Sequence, residues 1–184
     1  IMRHICTSIV ATLLLAGTSF AATINVPGDQ PTIAAAISAS SNGDTIAIAA
    51  GTYNEANLDT DGKAITIGSA SGNLDVTIDA QQGGSVFMIE SDEDDGTVIK
   101  DLVITGGSAY FGGGIHCNDS NPTITNCTIE GNTANGEGGG IYCRSNSSPT
   151  ISGCTITGNT AYNGGGISCS SSDPTISGCT ISGN

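Results

Sequence analysis

Over its last 73 residues the chain alternates apolar and polar positions in short bursts, then repeats the set of bursts. In "GGGIYCRSNSSPTISGCTITGNTA", Gly138 to Ala161, Ile141 and Cys143 share one face. Ile151 turns inward, and Cys154 and Ile156 share a face again by the two-residue period of a strand. Nearly the same phrase starts at Gly112 and at Gly164. The glycine triplets recur every 26 residues. The Pro-Thr pairs at Pro122, Pro149 and Pro174 and the asparagines Asn132, Asn159 and Asn184 step by 27 and 25. No segment of the repeat has helical periodicity. A period of this length signals a stacked array, and three brief strands per period describe one coil of a parallel β-helix.

Stacking accounts for the near-identity of the phrases, because coils pairing in parallel about 4.8 Å apart set like residues on like. The register predicts one inward ladder of Ile115, Ile141 and Ile167 and a second of Ile129, Ile156 and Ile181. Asn132, Asn159 and Asn184 should stack at a turn and bond along the axis. Burying a charge at Ile141 should therefore be costly, whereas Tyr142→Ser on the outward face should shift stability by no more than about 0.5 kcal/mol.

Upstream the pattern is less regular. "PTIAAAISAS" puts Ile33, Ala36, Ile37 and Ser40 at helical spacing, predicting a short amphipathic helix with Pro31 in its first turn. Such a helix would cover the open edge of the first coil. Strands are predicted over Thr45–Ala49, Lys63–Ser69, Asp75–Ala80, Ser85–Glu90 and Ile99–Thr105, with Gly, Asn and Asp in the turns between them. Asn184 closes a coil without a matching cover, so the chain is expected to be truncated there.

The stretch "INVPGDQPTIAAAISASSNGDTIAIAAGTYNE", Ile24 to Glu55, resembles the capped start of the right-handed parallel β-helix superfamily that includes pectin-lyase-like proteins. The repeats, with "GGGI" followed by "IEGN", "ITGN" or "ISGN", resemble the GGAI and FxxN repeats of polymorphic outer membrane proteins, with Ile standing where that family has Phe. The first resemblance implies the fold, and beside it a pectate-lyase-like or polygalacturonase-like enzyme. It implies that lyases of this fold hold calcium with acidic residues and use Arg or Lys as base. Hydrolases of the fold use clustered aspartates. Arg144 is the one Arg or Lys within the repeats, and the matching outward positions of the other two hold no carboxylate. Asp75, Asp79 and Asp101 have no visible partner set. An enzyme of this kind would need part of its site in further coils.

Charge narrows the partners. Four basic residues against 17 acidic ones give a formal −13, and nucleic acid binding needs clustered Lys and Arg. Thirteen of the carboxylates lie between Asp29 and Asp101. At the start, Arg3 and His4, the apolar "ICTSIVATLLLAG" and the small residues of "SFA" before Ala22 read as an export signal over residues 1–21. Its apolar core is too short for a membrane span. The β-helix domain is then 22–184, in an extracellular or cell-surface protein.

Within that domain the strand alternation turns His116, Tyr142 and Arg144 outward, beside Asn118, Ser168 and Ser170. These three are the glycan-binding candidates, by stacking and by bidentate hydrogen bonds. "ESDEDDGT" makes Asp92, Asp94 and Asp95 candidate calcium ligands, although it lacks EF-hand spacing and no other cofactor is implied. "GGSAYFGGG" is glycine-rich, but no helix pattern follows that would cradle a phosphate. Six cysteines follow the leader in two sets, Cys117, Cys143, Cys169 and Cys127, Cys154, Cys179. Buried thiol stacks fit the inward positions, and disulfides and a metal remain open alternatives. The expected function is a non-catalytic secreted or cell-surface repeat protein acting in adhesion or glycan contact, with a polysaccharide-active enzyme as the alternative.

Overall fold

One column of isoleucines runs the length of the molecule. Ile24, Ile46, Ile67, Ile99, Ile124, Ile151 and Ile176 pair rung by rung in a single parallel sheet. The computed structural model describes residues 20–91, 93, 94 and 96–184. Residues 1–19, most of the expected leader, lie outside the described residues, as do Asp92 and Asp95. In a regular coil the chain passes through sheet A (Thr123–Thr125), sheet B (Thr128–Glu130), sheet D (Thr133–Glu137) and sheet C (Ile141–Arg144). The sheets hold seven, six, three and four strands in that order, and every strand pairing is parallel, so the chain is a β-solenoid.

The three strands expected in each coil are present, and the expected ladders form. Ile115, Ile141 and Ile167 pair in sheet C, while Ile129, Ile156 and Ile181 pair in sheet B beneath Ile78 and Ile104. Sheet D is additional: Ser108–Phe111, Thr133–Glu137 and Thr160–Asn163 form a fourth short strand per coil. Its strands, opening Ser-Ala or Thr-Ala, carry one small apolar residue each at that position, too little alternation to stand out. The expected strand over Ile99–Thr105 is two strands, Val98–Lys100 and Val103–Thr105, because Asp101 at φ 56° turns a corner between them.

Corners use left-handed residues throughout. The first glycine of each triplet, Gly112, Gly138 and Gly164, has φ of 59°, 67° and 59°. A Cβ there would lie 2.8, 2.7 and 2.8 Å from the Cβ of His116, Tyr142 and Ser168. The second and third glycines stack on each other's backbones. A Cβ on Gly140 would meet the Gly166 carbonyl at 2.5 Å. Three glycines in a row are what a sharp corner between close-packed coils requires.

The asparagine ladder forms inside the barrel. Asn132 Nδ2 donates to the Ile104 carbonyl at 3.0 Å and to Asn159 Oδ1 at 3.0 Å. Asn159 Nδ2 repeats the pattern to the Ile129 carbonyl and Asn184 Oδ1, both at 2.9 Å. Gly107 stands at the equivalent position one coil earlier and closes the ladder with its backbone N–H on Asn132 Oδ1 at 2.9 Å. The buried side-chain amides of Asn132 and Asn159 are thereby satisfied within the ladder.

The predicted helix spans Ile33–Ala39 and buries Ile33, Ala36 and Ile37 against the first two rungs of sheet A. Pro31 lies one residue before the N-cap rather than in the first turn, because the Thr32 hydroxyl takes the capping role and accepts from Ala35 N at 3.1 Å. Glu55 of "GTYNE" completes the cap, accepting from Ile33 N and Ala34 N at 2.8 and 2.9 Å. Lys63 Nζ donates to the Ile37 carbonyl at 2.7 Å at the other end. A carboxylate at the N-terminus and an ammonium at the C-terminus both match the helix dipole.

Ile141 is fully buried between two neighbouring isoleucines. Ile141→Asp is expected to cost several kcal/mol, on the order of 4, for an unpaired buried charge. A urea melt of the variant should show the loss as a lower midpoint or as a chain that no longer folds.

Candidate functional site

The three glycan candidates come together on the outer side of sheet C, and two of them are covered. His116 and Tyr142 do point away from the Ile–Cys ladder, yet they are only 6% and 5% exposed. This corrects the expectation that both face solvent. The cover is sheet D, which lies against this side of sheet C. Phe111 stacks on Tyr142 with ring centroids 4.9 Å apart and planes 13° from parallel, and Glu137 Oε2 accepts from the Ser168 hydroxyl at 3.2 Å. The corner glycines press on the same side chains from the end of the strand. Arg144 remains partly exposed, with its guanidinium 5.9 Å from the Phe111 centroid and Nε donating to Asn118 Oδ1 at 3.0 Å.

Tyr110 extends this stack to the surface. Its ring meets Phe111 edge-on, at 4.6 Å and 87°, and the residue is 66% exposed. Gly136, in the bulged rung of sheet D, leaves room for it, since a Cβ there would stand 2.9 Å from Tyr110 Cε1. Tyr162 occupies the corresponding place two rungs on and is 85% exposed. Neither tyrosine nor Phe111 was singled out from sequence. The available signal was Ala-Tyr two residues before two of the three glycine triplets, at Ala109-Tyr110 and Ala161-Tyr162.

His116 Nδ1 lies 3.1 Å from Glu90 Oε1, and its Nε2 is buried without a partner. Burial holds its pKa below the ordinary 6.5, against the pull of Glu90, and Arg144 lowers it further. The folded state therefore binds this proton less readily than the unfolded chain. The stability it contributes is present above 6.5 and is lost as pH falls toward the lowered folded value.

The acidic loop is organised around Glu93 rather than Asp94. Glu93 is buried and its carboxylate accepts from Thr60 Oγ1, Gly62 N, Ser91 N and Ser120 Oγ at 2.8 to 2.9 Å. Burial alone would raise its pKa, but these donors together hold it below the usual range. Asp94 accepts from Gly96 N at 2.9 Å, which is a turn contact. Asp92 and Asp95 lie outside the described residues. Among the described residues no group of three or more His, Cys, Asp or Glu side chains is placed to hold a metal ion. Asp59 is pushed up, mainly by burial and also by Glu93, Asp61 and Glu90.

Both cysteine sets form ladders of free thiols. Cys117, Cys143 and Cys169 pair in sheet C, and Cys127, Cys154 and Cys179 follow one another at the corner of sheets A and B. In the second ladder each Sγ lies within hydrogen-bond reach of a carbonyl one coil back, of Ile99, Ile124 and Ile151, at 3.6 to 3.7 Å. The Cys127 thiol, hydrogen-bonded with the Cys154 thiol and buried, is held well above its usual range. Of the aspartates weighed for catalysis, Asp75 accepts from Ser69 and Ser71 and Asp79 from Gln81 N, while Asp101 sits beside Asn126.

The fold and the repeats define a parallel β-helix repeat protein. A family model described as the right handed beta helix region matches residues 62–184, and the chain belongs to that family. No curated protein and no solved structure matches it.

Two outcomes follow from the covered face. Tyr142→Ser, instead of being silent, should cost about 2–4 kcal/mol, because it removes a ring buried under Phe111. His116→Gln should flatten the fall in unfolding free energy that the native chain shows in urea melts as pH drops below 6.5.

Proposed function

We propose that this β-helix is a non-catalytic, exported scaffold that contacts glycans, displayed at the cell surface or secreted. The observation that carries the reading is Tyr110, exposed but held edge-on against Phe111, whose ring stacks on Tyr142 and has the Arg144 guanidinium 5.9 Å from its centroid. An aromatic face that loses no freedom on binding, next to a fixed fork of donors, suits the C–H face and hydroxyls of a sugar ring. His116 and Tyr142 serve this patch from below as supports. Tyr162 extends it along the axis. The formal charge of −13 disfavours polyanions and leaves neutral or amino-bearing glycans as the preferred class. Export is supported by the apolar segment and small residues ahead of Ala22. Among the described residues no helix is long and apolar enough to cross a membrane.

The test is binding of the full chain to immobilised polysaccharides, measured beside Tyr110→Ala and Arg144→Ser. Both variants should fold, since the first side chain is mostly exposed and the second partly so, and both should lose binding by about tenfold or more. Retained binding in both would reject the patch. New reducing ends or unsaturated products released from the same polysaccharides would replace this reading with a pectin-lyase-like enzyme.

A further inference from the structure

A second cleft lies on a different side of the solenoid, at the corner between sheets A and B. That corner takes two residues in most coils: Asp101-Leu102, Asn126-Cys127, Gly153-Cys154 and Gly178-Cys179. In one coil it takes six, residues 70–75, between Thr66–Ser69 and Val76–Asp79. Insertions on one side of a solenoid are where binding surfaces are commonly built. This loop is braced. The Ser69 and Ser71 hydroxyls donate to Asp75 at 2.6 and 2.7 Å, and Ser71 Oγ in turn accepts from Asn73 N at 3.1 Å. The two hydroxyls hold the Asp75 carboxyl below its usual range.

Residues 72–74 of the loop form one wall of a cleft of about 370 Å³, and the corners of the next three coils form the other. The four corner residues Asp101, Asn126, Gly153 and Gly178 all have left-handed φ, at 56°, 53°, 63° and 61°. Glycine is the unstrained choice there, and two coils use it. The two rungs nearest the loop instead carry Asp and Asn, the non-glycine residues that enter the left-handed region most readily, and so bring a polar side chain to the corner. Asn126 Nδ2 approaches Asp101 Oδ1 at 3.4 Å, and Lys100 Nζ, 3.9 Å from Asp101 Oδ2, offsets the carboxylate's charge.

We propose that this cleft binds a neutral saccharide residue. The lining presents amides of Asn73 and Asn126, the Asp101 carboxylate and the Thr128 hydroxyl, which together both donate and accept. Leu74, half exposed at the rim, supplies an aliphatic surface for a sugar's C–H face. No basic side chain lines the cleft, which disfavours phosphate and carboxylate ligands. The volume lies in the small-ligand range. The site stands on its own observations, on another side of the coil from the Tyr110 patch.

The experiment is ligand-observed NMR of the full chain against a panel of neutral mono- and disaccharides, with calcium, methylammonium and inorganic phosphate as competitors. At least one saccharide should show saturation transfer. Asn126→Gly copies the residue that Gly153 and Gly178 already place at this corner, so it should leave the melting temperature unchanged or raised. It should weaken saccharide binding about tenfold or more. Leu74→Ser should weaken it as well, and Tyr110→Ala should leave it intact, which separates this site from the aromatic patch. Absence of transfer from the whole panel overturns the proposal. So does unchanged affinity in Asn126→Gly, or displacement of the sugar by calcium, methylammonium or phosphate.

Discussion

Parallel pairing of one coil on the next, about 4.8 Å apart, is the constraint on which the rest of this molecule depends. At that spacing a side chain touches its own copy before it touches anything else. Isoleucine on isoleucine then buries both, asparagine on asparagine satisfies both amides, and glycine on glycine lets two corners approach. A residue that breaks register loses two contacts, one on each side. The seven isoleucines of sheet A and the Asn132–Asn159–Asn184 ladder are the apolar and polar forms of this one rule.

The same rule frees the outside of the coil. Once the inward positions carry the stability, outward residues vary from rung to rung without harm to the core. The sheet C series shows this: Met88, His116, Tyr142 and Ser168 occupy one outward column, while the inward pairs stay apolar, Phe87 and Ile89 in the first rung and Ile and Cys in the other three. Chemistry on such a scaffold is a matter of which outward columns depart from the repeat. Two do so conspicuously: the aromatic column at sheet D, and the A–B corner where Asp101 and Asn126 replace glycine beside a lengthened loop.

Hydrogen-bonded charged groups fix the irregular first half, and one of them ties it to the regular second half. Glu93 gathers donors from residues 60–62, 91 and 120, which belong to three successive passes of the chain. Glu55 and Lys63 hold the two ends of the helix that closes the first coil. Each is a charged group with its hydrogen bonds made locally, so each fixes a loop that the stacking of isoleucines would leave free.

The parallel β-helix, its inward ladders, the asparagine stack and the capping helix were legible in the sequence, because each rests on period and alternation, which are local properties of the chain. The split at Asp101 was not, since an aspartate at positive φ leaves no mark on an apolar run that reads straight through it. Nor was the fate of the outward side chains. Alternation says that Tyr142 and His116 leave the core; it cannot say that sheet D, whose strands are too short and too weakly patterned to announce themselves, lies over them. That cover depends on where a glycine corner turns the chain back. Burial by a neighbouring sheet, the bracing of the 70–75 loop and the cleft beside it are therefore decisions of the tertiary structure, made by distances between residues whose sequence positions carry no common signal.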